Sequence, residues 1–136
     1  MAKKKTWIEK LEEEKSPKIK RLDKDFADMS AGSLMLIASP KIIDEYIKNI
    51  GSGSTVSVKT MRKDLALEHL ADYTCPVTTG IFLRIVAEAN YEKWQQGYPV
   101  ESITPFWRVI DLNSPLAEKL SFGKVFLEEQ IESELR

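Results

Sequence analysis

The sequence of 136 residues is poor in metal-binding and redox-active side chains, with Cys75 as its one cysteine and His69 as its one histidine. A single cysteine cannot form an internal disulfide, and these two residues alone cannot complete a structural zinc site. Glycine-rich phosphate loops are also missing, because the stretch from Gly51 to Ser54 lacks the lysine and the spacing of a P-loop. We therefore expect no metal and no cofactor.

Long apolar runs are missing as well. No stretch approaches the roughly 20 apolar residues of a helix that spans a bilayer, and the N-terminal lysines lead into a charged segment instead of an apolar signal core. These absences predict a cytoplasmic location and no membrane partner. The acidic residues are numerous but form no spaced carboxylate pair of the kind that hydrolytic acid–base catalysis uses.

The composition is that of one globular domain, but its charge is unevenly distributed. The whole chain has 20 basic and 21 acidic residues, whereas residues 1 to 24 hold nine basic and five acidic ones. A basic N-terminal segment attracts nucleic acid phosphates without sequence preference. The glutamates interspersed in this segment favour the alternative, a solvated tail without a partner. We predict a basic, partly disordered N-terminal extension over residues 1 to 32, containing a short helix within 5 to 14, and one domain over residues 33 to 136.

Hydrophobic periodicity predicts a mostly α fold with a few short strands. Residues 16 to 32 look like a connector, residues 33 to 38 form an apolar run typical of a strand, and Ser39 with Pro40 marks a helix start. The helix that follows places five apolar side chains on one face, which we expect to be core. They are Ile42, Ile43, Tyr46, Ile47 and Ile50.

Two further helices around a short turn predict a helix-turn-helix. After an extended or strand segment over residues 55 to 58, the first covers residues 60 to 70 and the second begins at Pro76. Residues 104 to 112 look like a loop and a strand, and a last helix covers residues 122 to 135. The expected core positions are Met61, Leu65 and either Leu67 or Leu70 in the first helix, Ile81, Phe82, Ile85, Val86 and Ala89 in the second, and Val125, Phe126, Ile131 and Leu135 in the last.

Short motifs occur at fixed places along this order of elements. A Gly-x-x-Val-Ser motif precedes the first helix of the helix-turn-helix, an asparagine comes after the second, and a Pro-x-x-Arg-Val segment precedes the last helix. The residues concerned are Gly53 to Ser57, Asn90, Pro105, Arg108 to Ile110, Gly123, Leu127 and Glu128. In this order and spacing, residues 34 to 136 resemble the C-terminal domain of alkylguanine-DNA alkyltransferases and alkyltransferase-like proteins. The resemblance implies a winged-helix-like helix-turn-helix domain.

The resemblance also implies a loss of chemistry. In the family a cysteine thiolate attacks the alkyl carbon of a flipped-out guanine, and the neighbouring histidine draws off the thiol proton through water. Phe106 and Trp107 stand at those two positions and carry neither a nucleophilic atom nor a usable base. Alkyltransferase-like proteins also lack the cysteine, yet bind alkylated DNA and mark it for repair. We therefore expect a non-catalytic protein whose partner is duplex DNA with a modified base.

Two departures concern the handling of DNA. Val58 stands where the family has a tyrosine that helps to rotate the target nucleotide, and Ile81 stands where it has an arginine that enters the minor groove. Both departures argue against base flipping. Arg84, about one turn after Ile81, is either a displaced finger or the solvent-facing arginine of an amphipathic helix.

The expected contacts with DNA lie on the second motif helix and on the Pro-x-x-Arg segment. The candidates are Thr78, Thr79, Arg84, Asn90 and Arg108 for DNA binding, and Pro105, Phe106 and Trp107 for lining a pocket. The threonines would approach a phosphate at a helix N-terminus, unless Gly80 beside them serves tight helix packing. Aromatic rings at 106 and 107 would stack on a base or fill a pocket that has lost its use.

Cys75 is the one candidate nucleophile, because it precedes Pro76 at a helix start, where the helix dipole activates a thiol. His69 lies six residues away and does not by itself make a dyad, so a buried structural cysteine is the competing interpretation. Two alternatives to DNA binding follow. One is a degenerate winged-helix domain used for contact with a protein partner, and the other is a cysteine-dependent activity through Cys75.

Overall fold

The computed structural model describes residues 4 to 135 and is mostly helical with one small sheet, as predicted. The segments in chain order are α1 (Trp7–Glu12), β1 (Lys18–Arg21), β2 (Leu34–Ile37), α2 (Pro40–Lys48), α3 (Val58–Glu68), β3 (Tyr73–Thr74), α4 (Pro76–Gln95), α5 (Pro115–Lys119) and α6 (Val125–Leu135). Two single-turn 3₁₀ helices, Val100–Ser102 and Phe106–Arg108, lie between α4 and α5. No helix of the described part is long and apolar enough to span a membrane.

The sheet has β2 at its centre, antiparallel to β1 and parallel to β3. The sequence predicts a connector over residues 16 to 32. This prediction is wrong for residues 18 to 21, which form β1 and pair along their whole length with β2. All four side chains of β1 are exposed, so no alternation of apolar and polar residues marks this strand in the sequence. Gly32, with a φ of +86°, takes the left-handed conformation needed where the chain turns back into β2.

The short helix predicted near the N-terminus is α1, and it packs on α4. A capping box starts it, since Thr6 Oγ1 accepts from the Glu9 N–H at 3.1 Å while Glu9 Oε1 accepts from the Thr6 N–H at 2.8 Å. Leu11 is buried in the main core, and the Ile8 N–H donates to Glu92 Oε1 of α4 at 3.3 Å. Helix α1 therefore belongs to the same core as α4, while residues 1 to 3 of the predicted extension lie outside the described part.

Helix α2 begins where predicted, because the Ser39 hydroxyl accepts from the Ile42 N–H at 3.2 Å and Pro40 occupies the first turn. Its predicted apolar face is confirmed. Ile43, Ile47 and Ile50 are buried, and Ile42 and Tyr46 pack at the edge of the same core. The burial of this face anchors α2 against α4.

Helices α3 and α4 are both present where two helices were predicted, and β3 lies in the connection between them. Helix α3 begins at Val58, earlier than predicted, because the Ser57 hydroxyl caps its first turn. Helix α4 begins at Pro76 as predicted. Between the helices, Leu70 has a φ of +57° and is largely exposed, which is an uncommon conformation for leucine.

Several apolar positions predicted to be core are exposed instead. Met61, Leu65, Val86, Ala89 and Phe126 are buried as expected, but the expectation is wrong for Leu67, Leu70, Ile81, Val125 and Leu135. Helix α4 contacts both α1 and α2, and its residues from Val86 to Asn90 are all buried, so its buried surface is broad and does not follow one narrow stripe. Contacts between distant segments, which periodicity alone does not contain, decide which face of each helix is buried.

The strand predicted within residues 104 to 112 is not present. The Arg108 N–H donates to the Pro105 carbonyl at 3.0 Å, and the Ile110 N–H donates to the Phe106 carbonyl at 3.0 Å, so the backbone turns instead of extending. The apolar side chains of this segment are buried in the main core. A short buried run of this kind cannot be distinguished from a strand by periodicity.

Asn90 is a buried hydrogen-bonding centre between three segments. Its Nδ2 donates to Asp44 Oδ1 of α2 at 3.2 Å and to the Val86 carbonyl at 2.8 Å, and its Oδ1 accepts from the Thr104 N–H at 2.9 Å. Because both ends of the amide are used, Asn90 fixes the position of the backbone that leads into Pro105.

We predict that Asn90→Ala lowers the free energy of unfolding by about 1–3 kcal/mol, because the buried Thr104 N–H and Asp44 carboxylate lose a partner. Urea denaturation measures this change. Asn49→Ala is the matched control, since Asn49 Nδ2 donates to the Glu45 carbonyl on the exposed side of α2. Equal losses in the two variants would contradict a structural role for Asn90.

Candidate functional site

Phe106 forms part of the core. It is fully buried, and its ring centroid lies 5.4 Å from that of Trp107 and 5.9 Å from those of Phe122 and Phe126. Edge-to-face and offset contacts at these distances stabilise a rigid aromatic cluster. The side chain expected to line a pocket therefore fills the interior.

Trp107 lies between two clefts. It is only 6% exposed, yet it contributes to the walls of both cavities. Its indole nitrogen is buried near the Glu134 carboxylate without a hydrogen bond of ordinary geometry. One cleft, of about 590 Å³, also contains Pro105 and Lys48 in its wall.

The cleft on the other side of Trp107 is here named the motif cleft. Its volume is about 550 Å³, and it is lined by residues Thr55 to Val58, residues Trp107 to Ser114, and Ile131 of α6. The Val56 N–H donates to the Arg108 carbonyl at 2.8 Å, so the two segments are joined through their backbones. The structure thus brings together the Gly-x-x-Val-Ser and Pro-x-x-Arg-Val motifs, including Val58 at the start of α3.

Arg108 is held by groups of the protein itself. Its Nη1 donates to the Ile50 carbonyl at 2.6 Å, while Nε and Nη2 donate to Glu134 Oε1 at 2.9 and 2.5 Å. Arg108 and Glu134 are both largely buried. The fork geometry of the guanidinium matches the carboxylate, so this arginine connects α2, the 3₁₀ turn and α6.

The polar candidates at the N-terminal half of α4 are mostly turned inward. Thr79 is buried, and its hydroxyl donates to the Cys75 carbonyl at 2.6 Å. The hydroxyl oxygen of Thr78 is buried without a hydrogen bond, and Asn90 is used in the core as described above. Gly80 does not serve tight packing, because a Cβ at this position would meet no atom within 4 Å.

Arg84 lies at the surface, where its guanidinium carbon is 5.3 Å from the centre of the Trp7 ring and its Nε is 3.4 Å from Glu88 Oε2. Glu88 is buried and also accepts from the backbone N–H of Ser121 at 2.8 Å. These contacts hold the guanidinium on the outer side of α4, over α1.

A third cleft adjoins Arg84 and is here named the basic cleft. Its volume is about 640 Å³, and three cations and no carboxylate line it. The lining residues are Trp7, Lys10, Pro76, Val77, Gly80, Ile81, Arg84, Ile85, Pro115, Leu116 and Lys119. Sequence analysis missed this site because Lys10 belongs to the predicted tail, and no pattern in the sequence indicates that α1 and α5 both pack on α4.

Cys75 lies in a small second core with Leu22, Met29 and Met35, under the β1–β2 hairpin. Its thiol is buried, and its N–H donates to the Leu36 carbonyl at 2.8 Å. Within residues 4 to 135 no three His, Cys, Asp or Glu side chains are placed to hold a metal ion. The geometry thus favours the structural interpretation of this cysteine.

The Arg108–Glu134 pair should make stability depend on pH. Burial is the largest single influence on the Glu134 carboxyl and raises its pKa. The hydrogen bonds and the positive charge of Arg108, together with the nearby Trp107 and Gly53 N–H groups, lower the pKa by more in sum, so the net pKa lies below the ordinary 4.5. A carboxyl with a lowered folded pKa stabilises the fold above its unfolded pKa and loses that contribution as pH falls through the folded pKa. Relative to wild type, Glu134→Gln should be destabilised at neutral pH, with the difference shrinking below about pH 4.5.

Chemical denaturation across this pH range measures the effect. Glu129→Gln is the control, because Glu129 is exposed on the same helix. An equal pH profile for Glu134→Gln and Glu129→Gln would show that the pair does not stabilise the fold.

Incubation with an oligonucleotide that contains O6-methylguanine should leave the mass of the protein unchanged. The aromatic residues at 106 and 107 offer no nucleophile, and the thiol of Cys75 is enclosed by its own core. Intact-protein mass spectrometry is the measurement. A gain of one methyl group that disappears in Cys75→Ser would identify Cys75 as an acceptor and overturn this expectation.

Comparisons of the chain with protein-family models, with curated proteins and with solved structures give no match. The resemblance to alkyltransferases therefore rests on the residues of the sequence motifs.

Proposed function

We propose that this chain is a non-catalytic, alkyltransferase-like protein that binds duplex DNA and recognises a modified base, as a component of DNA repair. The motif cleft carries the proposal. The two motif segments, which are distant in sequence, line one cavity and share the hydrogen bond from the Val56 N–H to the Arg108 carbonyl.

The walls of the motif cleft suit a flat group with apolar faces and a polar edge. Its aliphatic side chains are Val56, Val58, Val109, Ile110, Leu112 and Ile131. Ser57, Asp111 and Asn113 add polar groups to the same lining. The volume falls within the range of small-ligand pockets. A nucleobase with an alkyl substituent has this combination of apolar faces and hydrogen-bonding edges.

Binding without reaction follows from the same lining. Neither a thiol nor an imidazole is among the residues that surround the motif cleft. The hydroxyl of Ser57 is engaged with the N–H and the hydroxyl of Thr60 at 3.0 Å each, and a hydroxyl without an adjacent base is a weak nucleophile. A base in this cleft would therefore be released unchanged.

The arrangement around α3 and α4 supports a winged-helix-like interpretation of the domain. Helix α4 would be the recognition helix, and the β1–β2 hairpin would be the wing. Strand β1 exposes Lys18, Lys20 and Arg21, which are suited to phosphate contacts. The basic N-terminal segment would thus contribute to binding through a hairpin fixed to the domain.

Contact with a protein partner is a second candidate, because two leucines at the end of α3 are exposed. Leu67 is 72% exposed and Leu70 is 86% exposed, and contiguous apolar surface favours association. No binding to any duplex, together with a complex that is lost in Leu70→Ser, would favour this candidate over DNA binding.

The proposal predicts salt-dependent binding to duplex DNA and tighter binding to a duplex with O6-methylguanine than to the unmodified one. Fluorescence anisotropy at several salt concentrations measures both properties. Each phosphate contact should contribute about −0.9 to the slope of log K against log salt. No binding to either duplex at low salt would refute the proposed function.

Val58→Trp tests the role of the motif cleft. The larger ring should fill the cleft, remove the preference for the modified duplex and leave binding to the unmodified duplex nearly unchanged. Val125→Trp is the matched control, because Val125 is exposed on α6 and lines none of the clefts described above. A retained preference in Val58→Trp would place the modified base elsewhere.

A further inference from the structure

Helix α4 contributes to the basic cleft over more than two turns. Its residues in the cleft recur at helical spacing and are Pro76, Val77, Gly80, Ile81, Arg84 and Ile85. At 1.5 Å per residue this stretch is roughly 14 Å long. Val77 is 56% exposed and Ile81 is 55% exposed, so two β-branched side chains one turn apart remain open to solvent. Burying them against a partner would remove apolar surface from water, which is favourable.

The backbone of α4 is also accessible in this cleft, because Gly80 lies between the two apolar side chains. A Cβ added to Gly80 would meet no atom within 4 Å. Without a side chain at this position, the backbone of another segment can approach α4 closely. An amphipathic helix that lies in a groove makes contacts of this kind through apolar residues at i, i+3 and i+4 spacing.

The cleft carries two lysines whose charge is available to a partner. Arg84 also lines it, but this guanidinium is paired with Glu88 and lies over the Trp7 ring. The ammonium group of Lys10 is 4.3 Å from the centre of the same ring, a contact that leaves its positive charge uncompensated. Within residues 4 to 135 neither Lys10 nor Lys119 forms an ion pair, and no carboxylate lines the cleft. The two lysines are therefore suited to bind carboxylates from outside the domain.

Apolar surface and positive charge together favour a protein partner over a nucleic acid. The phosphates of a duplex would pair with the lysines but would leave Val77 and Ile81 against a charged and hydrated strand. A second copy of the chain packed cleft to cleft would bring the lysines of both copies together, which is unfavourable. A helix whose apolar face is bordered by glutamates and aspartates complements both the apolar side chains and the lysines.

We propose that the basic cleft is the docking site for an acidic amphipathic helix of a protein partner. The apolar face of that helix covers Val77, Gly80 and Ile81. Its carboxylates pair with Lys10 and Lys119. The basic cleft shares no lining residue with the motif cleft, so this interaction goes beyond the proposed DNA binding and does not depend on it. The lysines would mainly accelerate association, while the apolar contact would supply most of the affinity.

The experiment uses the full chain and a synthetic amphipathic peptide that has leucines on one face of the helix and glutamates on the other. Titration with this peptide should shift the amide resonances of Val77 to Ile85 in a saturable way, and fluorescence anisotropy gives the dissociation constant. One control peptide has the same composition in an order without an apolar face, and a second has lysines in place of the glutamates. Neither control should bind to the cleft.

Ile81→Ser should weaken binding of the acidic peptide about tenfold, because an exposed isoleucine is buried in the complex. Val125→Ser is the matched control, because it also removes an exposed β-branched side chain but lies outside the basic cleft. Lys119→Ala should weaken binding about two- to fivefold at low salt and less at high salt. Lys63→Ala, which removes an exposed lysine outside the cleft, is its control. Circular dichroism verifies that each variant is folded.

Gly80→Gln tests the close approach of the partner to α4. A glutamine at this position meets open space and favours a helix more than glycine does, so the variant should be at least as stable as wild type. Its side chain should nevertheless obstruct the peptide and weaken binding. Gly51→Gln is the matched control, because Gly51 also has open space around it but does not line the cleft. Equal peptide affinities of the two variants would overturn the placement of the helix over α4.

Four other results are decisive. No saturable binding at low salt, or equal binding of the acidic peptide and its reordered control, would show that the cleft does not select this chemistry. If duplex DNA, and not the peptide, shifts the resonances of Val77 to Ile85, the cleft belongs to a DNA-binding surface. If the protein alone associates as its concentration rises and Ile81→Ser abolishes this, a second copy occupies the cleft. Peptide binding without any DNA binding would refute the proposed function and support the docking site.

Discussion

The guanidinium of Arg108 is the contact on which the surroundings of the motif cleft depend. Removing an arginine from water is unfavourable unless its donors find partners, and here they find the Ile50 carbonyl and the Glu134 carboxylate. The carbonyl of the same residue accepts from Val56. One residue therefore fixes the end of α2, the Gly-x-x-Val-Ser segment and α6 relative to each other. Its role is to hold the cleft in shape, since its charge is balanced within the protein.

Local signals in the sequence predicted the starts of helices that begin with a capping residue or a proline. They did not predict structure in segments whose conformation depends on contacts with distant parts of the chain. The serine and proline at 39 and 40 predicted the start of α2, and Pro76 predicted the start of α4. Strand β1 was not predicted, because none of its side chains is buried and its sequence therefore shows no alternation of apolar and polar residues. The segment after Pro105 was mistaken for a strand because its apolar side chains pack against Phe122 and Phe126, which follow it in the chain.

The candidate site was predictable to the extent that the motifs identified its two segments. The roles of individual polar residues were not, because a sequence does not say whether a polar side chain faces solvent or a buried partner. Asn90 meets Asp44, 46 residues away, and Thr79 donates to the backbone of its own helix. The basic cleft combines Lys10 with Lys119, and only the packing of α1 and α5 around α4 brings them together.

Phe106 stands where the family that the sequence resembles has its cysteine, and in this fold its side chain belongs to the core. Phe106 occupies the centre of an aromatic cluster, so a smaller side chain there would leave a cavity instead of opening a pocket. A thiol at this position would be enclosed by Trp107, Phe122 and Phe126, and residue 106 does not line the motif cleft. Phe106 therefore serves the core. The motif cleft shares Trp107, Val109 and Ile110 with the same core, so a substitution in its wall changes both the cleft and the packing. On α4, by contrast, Val77 and Ile81 are exposed, so a substitution there changes the surface without removing a buried contact.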